Sequence, residues 1–173
     1  MIAGTVPAPT HNAPSTPYLR DLLVMPARPI TSITLVHAHA IVGAALEYAR
    51  GNVFPPMTIA VLDAAGQLVA FAREDGSSLL REHIARGKAH GALNMGVGSR
   101  SLAAMAAARP AFVDSLIALA DGHLVPGPGG VLVHDEQDRL IGAVGVSGHL
   151  PDDDEACAIH GITAAGLRAD PGV

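Results

Sequence analysis

Two hairpin patterns set among helical stretches constrain this chain more than any other feature. In the first, Thr58–Leu62 and Leu68–Arg73 read as strands, and Asp63-Ala64-Ala65-Gly66 between them suits a type I turn closing on a left-handed glycine. In the second, Val131–Val133 and Leu140–Val146 flank the turn Asp135-Glu136-Gln137-Asp138. Hairpins join antiparallel strands, so an antiparallel sheet is expected. Around it the apolar spacing turns helical. Thr31 or Ser32 is expected to cap a first helix on which Leu35, Ala38, His39, Val42, Ala45, Leu46 and Ala49 share a stripe. Gly51-Asn52 ends that helix, and Pro55-Pro56 bars its continuation. Leu80–Met95 reads as a second helix, and residues 98–120 as one or two more, broken at Arg109-Pro110. Pro151–Leu167 reads as the last helix, with Pro151 in its first turn and Asp152, Asp153, Asp154 and Glu155 set against its dipole. Helix, hairpin, helices, hairpin, helix is not the alternation of a Rossmann fold. It describes an α+β domain within the broad α/β class, its sheet flanked by helices.

The charge balance narrows the partners. The chain of 173 residues carries a net charge of −5, no basic cluster, 3% aromatic residues and no Trp, so a nucleic-acid track is not expected. No apolar run approaches the roughly 18 residues of a membrane span, and Met1–Pro7 lacks a signal-peptide pattern, so a cytoplasmic location is expected. The single Cys157 fits a reducing compartment. Charged residues are 16% and mean hydropathy is +0.34, against roughly 25% charged in ordinary soluble chains. So few charges cover a monomer poorly, and a homo-oligomer is expected; an alanine- and glycine-rich composition from a high-GC genome is the plainer alternative. Residues 1–30 hold six prolines and read as a partly disordered arm, with Tyr18–Met25 as its one apolar patch. The globular domain is expected over 31–168, with a tail at 169–173.

The second helix carries the most chemistry. His83, Gly87, His90 and Asn94 fall on one stripe, the two histidines about 10 Å apart along the axis. Gly87 and Gly91 each cost roughly 1 kcal/mol relative to alanine in a helix, which suggests that a ligand plane or another chain approaches the backbone. A solvated face with idle histidines is the alternative. Lys88 lies round from that stripe, either snorkelling or placing a cation in a pocket. The loop Gly145–Leu150 ahead of the last helix offers backbone N–H groups to an anion, though the acidic run behind it opposes this, and His149 there is placed for proton transfer. His37 and His39 point about 200° apart on a helix and do not chelate one ion together. His39, on the apolar stripe, reads as a packed residue. Gly127-Pro128-Gly129-Gly130 reads as a tight turn or a close approach to a ligand.

Four stretches in order, Ile59–Gly76, Ile84–Ala89, Pro128–Val131 and Ile141–Gly148 running on to Asp154-Glu155, resemble the GlcG/HbpS family of haem-binding proteins, also called the haem-degrading domain. The resemblance covers about residues 31–168. It implies a profilin-like layered domain with an antiparallel sheet of about five strands, assembly into dimers up to octamers, and a small-molecule site near subunit contacts. Some members of the family bind haem. The chain departs from the family pattern at Glu74, where Met is usual, at His83, where a small acidic residue is usual, at Gly91, where Thr is usual, and at His149, where Gly is usual. These changes add a carboxylate and two imidazoles and remove bulk.

Two functions follow as expectations. One is a homo-oligomeric binding module for haem or another planar carboxylate ligand, with His83 or His90 as axial donor, Arg73 or Lys88 pairing with carboxylates, and Gly87, Gly91, Gly129 and Gly130 lining the site; no bare metal is expected. The other is a cofactor-independent isomerase, lyase or hydrolase for a small carbonyl or aromatic acid. There His149 or His83 would move the proton, Glu74 or Asp75 would orient it, and Lys88 or Arg73 would hold the substrate.

Overall fold

A computed structural model describes residues 31–172, so the expectations for the N-terminal arm lie outside the described residues. Within them, five strands form one antiparallel sheet in the order β2-β1-β4-β3-β5. The strands are β1 (Thr58–Asp63), β2 (Leu68–Arg73), β3 (Gly130–His134), β4 (Leu140–Ser147) and β5 (Arg168–Asp170). Five helices cover it: α1 (Leu35–Gly51), α2 (Leu80–Met95), α3 (Ser99–Ala108), α4 (Pro110–Leu119) and α5 (Pro151–Ala164). Both hairpins form as the turn residues require. Gly66 takes φ +79°, and the Asp63 side chain accepts the N–H groups of Ala65 and Gln67. None of the described helices is long and apolar enough to cross a membrane.

The sheet's two faces differ in side-chain size, and that difference places the site. Ile59, Val61, Val131, Val133, Val144 and Val146 form a branched aliphatic layer against α1 and α5. On the opposite face, toward α2, stand Ala60, Ala143, Gly145 and Gly130, with Leu62 and Leu132. A Cβ added at Gly145 would lie 1.8 Å from the Ala85 carbonyl oxygen, and one at Gly130 would lie 2.3 Å from that of Lys88. Helix α2 therefore rests main chain to main chain on β4 and β3.

Four sequence expectations change. The cap of α1 is Thr34, whose hydroxyl accepts the His37 N–H at 3.2 Å, rather than Thr31 or Ser32. The ridge of α1 runs through Ala38, Ile41, Ala45 and Ala49, which leaves His39 exposed rather than packed. Small residues suffice there because α5 comes close: a Cβ on Gly161 would meet the Ile41 carbonyl oxygen at 2.6 Å. Helix α5 stops at Ala164, three residues early. Gly166 turns left-handed at φ +77°, its N–H reaches Thr163 O, and the Leu167 N–H reaches Ile162 O, which closes the helix end. The chain so reversed pairs Arg168–Asp170 with β3 as an edge strand, in place of a free tail.

Gly145→Ala should cost about 3 kcal/mol or more, because neither the helix nor the strand backbone can yield to the new methyl. Gly43→Ala, in exposed helix with nothing within 4 Å of the new Cβ, should instead stabilise by roughly 0.5–1 kcal/mol. Urea denaturation of the two variants beside the parent checks both signs.

Candidate functional site

Lys88 sits on the buried side of α2, and its ammonium is spent inside the protein. Its Nζ donates to Asp154 Oδ2 at 2.7 Å and to the Val146 carbonyl at 3.0 Å. The two side chains are only 6% and 2% exposed. Burial lowers the lysine's pKa, and the facing Asp154 carboxylate works against that lowering. The other carboxylate oxygen of Asp154 accepts the N–H groups of Gly148 and His149, both at 2.9 Å. Thus the loop expected to offer its amides to an external anion offers them to the chain's own carboxylate, and Lys88 faces that carboxylate rather than a ligand. Gly129 and Gly130 follow from the same packing. A Cβ at Gly129 would lie 2.9 Å from Lys88 Nζ, and the Gly130 N–H donates to Ser99 Oγ at 2.6 Å.

The outer stripe of α2 is where ligand chemistry remains open. What lies against the glycines is the chain itself: the segment after α4 at both, and at Gly91 also Leu102 of α3. A Cβ at Gly87 would meet Val125 Cγ2 at 2.6 Å, and one at Gly91 would meet Leu102 and Leu124 at 3.3 and 3.4 Å. The Val125 N–H donates to the Gly87 carbonyl at 3.1 Å. Beside this seal lies a cleft of about 240 Å³ lined by His83, Arg86, Asp121, Gly122 and His123. His83 and His123 are exposed. The Arg86 Nε is buried without a hydrogen-bond partner, and the arginine's ion pair with Glu82 is long, at 3.7 Å. The His90 ring stands 5.2 Å from that of His123. Burial, then the neighbouring His123 and Arg86, lower the His90 pKa, which keeps this imidazole neutral. A neutral His90 near an arginine whose Nε has no partner suits a carboxylate-bearing guest. No group of three His, Cys, Asp or Glu side chains is placed to hold a bare metal ion among the described residues.

The other candidates gather elsewhere. Arg73, Glu74 and Asp75 share an open cleft of about 460 Å³ with Arg50 and Pro56. Glu74 is not the orienting partner of a histidine: its Oε2 accepts the Met57 N–H at 2.7 Å and pairs with Arg50 at 3.1 Å. His149 packs against Phe54, ring centres 5.1 Å apart, with its Nε2 3.6 Å from Asp153. Sequence reasoning missed Asp121 and His123, which only the fold carries to α2. It also missed the buried role of Glu155, whose Oε1 accepts from Arg100 Nε and Nη2. A His-containing turn following an apolar helix was the only available signal for His123.

Lys88→Met should destabilise the fold by about 3–5 kcal/mol, because Asp154 is left buried and unpaired. Lys88→Met/Asp154→Asn should recover part of that loss, as thermal and chemical denaturation of the single and double variants would show. Acidification adds a second test. Below the ordinary histidine value of 6.5 the unfolded chain takes up a proton that folded His90 resists. Stability should therefore hold above that pH and fall as pH drops through it. In His90→Asn the fall should be shallower, measured as urea midpoints between pH 7.5 and 5.

Comparison with known proteins agrees with this architecture. The sequence profile described as "Haem degrading protein HbpS-like" matches residues 33–163. Among solved structures, the PduOC–haem complex is similar with a TM-score of 0.71 and 24% identity, over 79% of this chain and 97% of that one. Klebsiella pneumoniae protein ORFY gives 0.71 and 23%, over 81% and 94%. HbpS gives 0.68 and 25%, over 79% and 92%. No curated protein matches the chain. With three-quarters of its length under one family profile, the chain belongs to the HbpS-like haem degrading protein family.

Proposed function

We propose that this protein binds haem, or a similarly planar small molecule bearing carboxylates, as a homo-oligomer. The cleft at His83, Arg86 and His123 carries the reading: it combines exposed imidazoles with a buried guanidinium nitrogen that has no partner. That donor set fits the group in kind. His83 or His90 would hold the iron, and Arg86 would pair with a carboxylate. When bound, haem would supply an iron that accepts an imidazole nitrogen. Lys88 plays no part, since Asp154 holds it, and Arg73 lies on a separate cleft.

Size supports the oligomer. A cleft of about 240 Å³ is smaller than the 300–1,000 Å³ or so that encloses a drug-sized ligand, so a flat guest would project and a second copy would help to cover it. The exposed apolar residues are of the right kind: Leu119 is 82% exposed on α4, and Leu68 and Phe71 stand exposed on edge strand β2. A second reading, a cofactor-independent enzyme for a small carbonyl or aromatic acid, is favoured by the neutral His90 near Arg86, a base beside an anion holder. Turnover of such acids without haem, lost in His90→Asn, would select it.

Haemin titrated into the purified protein should give a saturable Soret band, and the native mass should be a multiple of the chain. Arg86→Ala should weaken binding about tenfold, the loss expected from one hydrogen bond to a charged group, and His83→Ala should weaken it by removing an iron ligand. Binding that does not saturate, or that neither variant changes, overturns the proposal.

A further inference from the structure

A second hollow lies on the far side of the Leu124–Val125 seal. It measures about 380 Å³ and is bordered by Asn94, Met95, Leu116, Leu119, Ala120 and Leu124. The cleft at His83 and Arg86 lies on the near side. Both hollows border α2, and between them run Gly87, capped by the 122–125 segment, and Gly91, capped by Leu124 and Val125 on one side and by Leu102 of α3 on the other. The cover is lightly held. In α4 only Val113 is buried, while Leu119 is 82% and Phe112 48% exposed. Its ends are natural joints: the break at Arg109-Pro110 on one side, and on the other Gly127, whose carbonyl is pinned by Ser99 Oγ at 2.7 Å. Asp121, at the crest, holds an unfavourable φ of +48°.

The geometry points to residues 110–126 being a lid over a concealed binding trough on α2. Lifting Leu124 and Val125 off Gly87 and Gly91 joins the two hollows into one channel from His83 to Met95, roughly 18 Å long at 1.5 Å per residue. Its floor is helix main chain at Gly87 and Gly91, with Leu102 of α3 as a fixed apolar wall beside Gly91. One end is cationic and hydrogen-bonding, with His83 and Arg86; the other is apolar, with Met95, Leu116 and Leu119. Such a trough takes a flat amphipathic molecule, its apolar body on the glycines and its anionic group at Arg86. This inference rests on the planar-ligand reading above and adds the place and the route of entry.

A disulfide tests it. A Cβ at Gly87 lies 3.4 Å from that of Val125, close to the 3.5–4.5 Å or so that a disulfide spans. Gly87→Cys/Val125→Cys should therefore lock the lid. The native Cys157 does not compete, because burial and the nearby Asp154 and Asp153 push its thiol up to about 12. With protoporphyrin IX and haemin as probes, the oxidised double variant should bind at least tenfold more weakly than its reduced form, and reduction should restore binding. Equal affinity in the two forms overturns the trough. An independent arm uses Leu124→Cys without ligand. The new thiol should react with a maleimide at least a hundredfold faster than Cys157, which is exposed only by global unfolding. Equal rates overturn the lid even if the locked variant misfolds. Fast labelling with no binding of either probe to the parent protein upholds the opening and rejects the ligand class, and with it the function proposed above.

Discussion

The buried pair of Lys88 and Asp154 is the contact on which the rest of the arrangement depends. Taking an ammonium and a carboxylate out of water costs several kcal/mol per ion, and their attraction offsets this only where geometry is good and the remaining polar sites are filled. Here they are filled: the lysine also donates to Val146 O, and the carboxylate also accepts from Gly148 and His149. Four parts of the chain are fixed by one charge pair, namely the middle of α2, the end of β4, the loop after it and the first turn of α5. Such a pair adds little net stability compared with apolar residues of the same shape. It gives one register of α2 on the sheet, because any slide of the helix leaves a bare charge inside.

That register explains why the glycines carry two meanings. Gly130 and Gly145 admit the helix backbone to the sheet, while Gly87 and Gly91 admit the segment after α4, and at Gly91 also Leu102 of α3, to the helix. All four read alike as missing side chains. A glycine scarce in context signals that something comes close, but whether this is a strand, a loop or a guest depends on the packing. Around α2 it is a strand on one side and, on the other, a loop together with Leu102 of α3.

The fold was legible in the sequence because its cues are local. Turn residues at Asp63–Gly66 and Asp135–Asp138 fixed both hairpins, and apolar spacing with Pro110 and Pro151 fixed the helix starts. The edge strand β5 was hidden, since three residues with no alternating pattern pair only because Gly166 reverses the chain. The site was legible in part. His83 and His90 stand on the stripe their spacing gave, with Arg86 beside them. The partners of Lys88 and Glu74 lie 66 and 17 residues away in the chain, and nothing in local spacing announces them. Asp121 and His123 reach the site through the path of α3 and α4, which is likewise a tertiary matter.

The main-chain contact between α2 and the sheet also bears on how this domain can change. Where β3 and β4 meet the helix, Gly130 and Gly145 have no room for even a methyl group, so substitutions there are closed off regardless of chemistry. On the opposite side Gly87 is closed off too, by Val125, but the exposed position at His83 can exchange residues without disturbing the packing beneath. A domain built this way holds its architecture on one flank of a single helix and can diversify its ligands on the other, where His83 stands exposed.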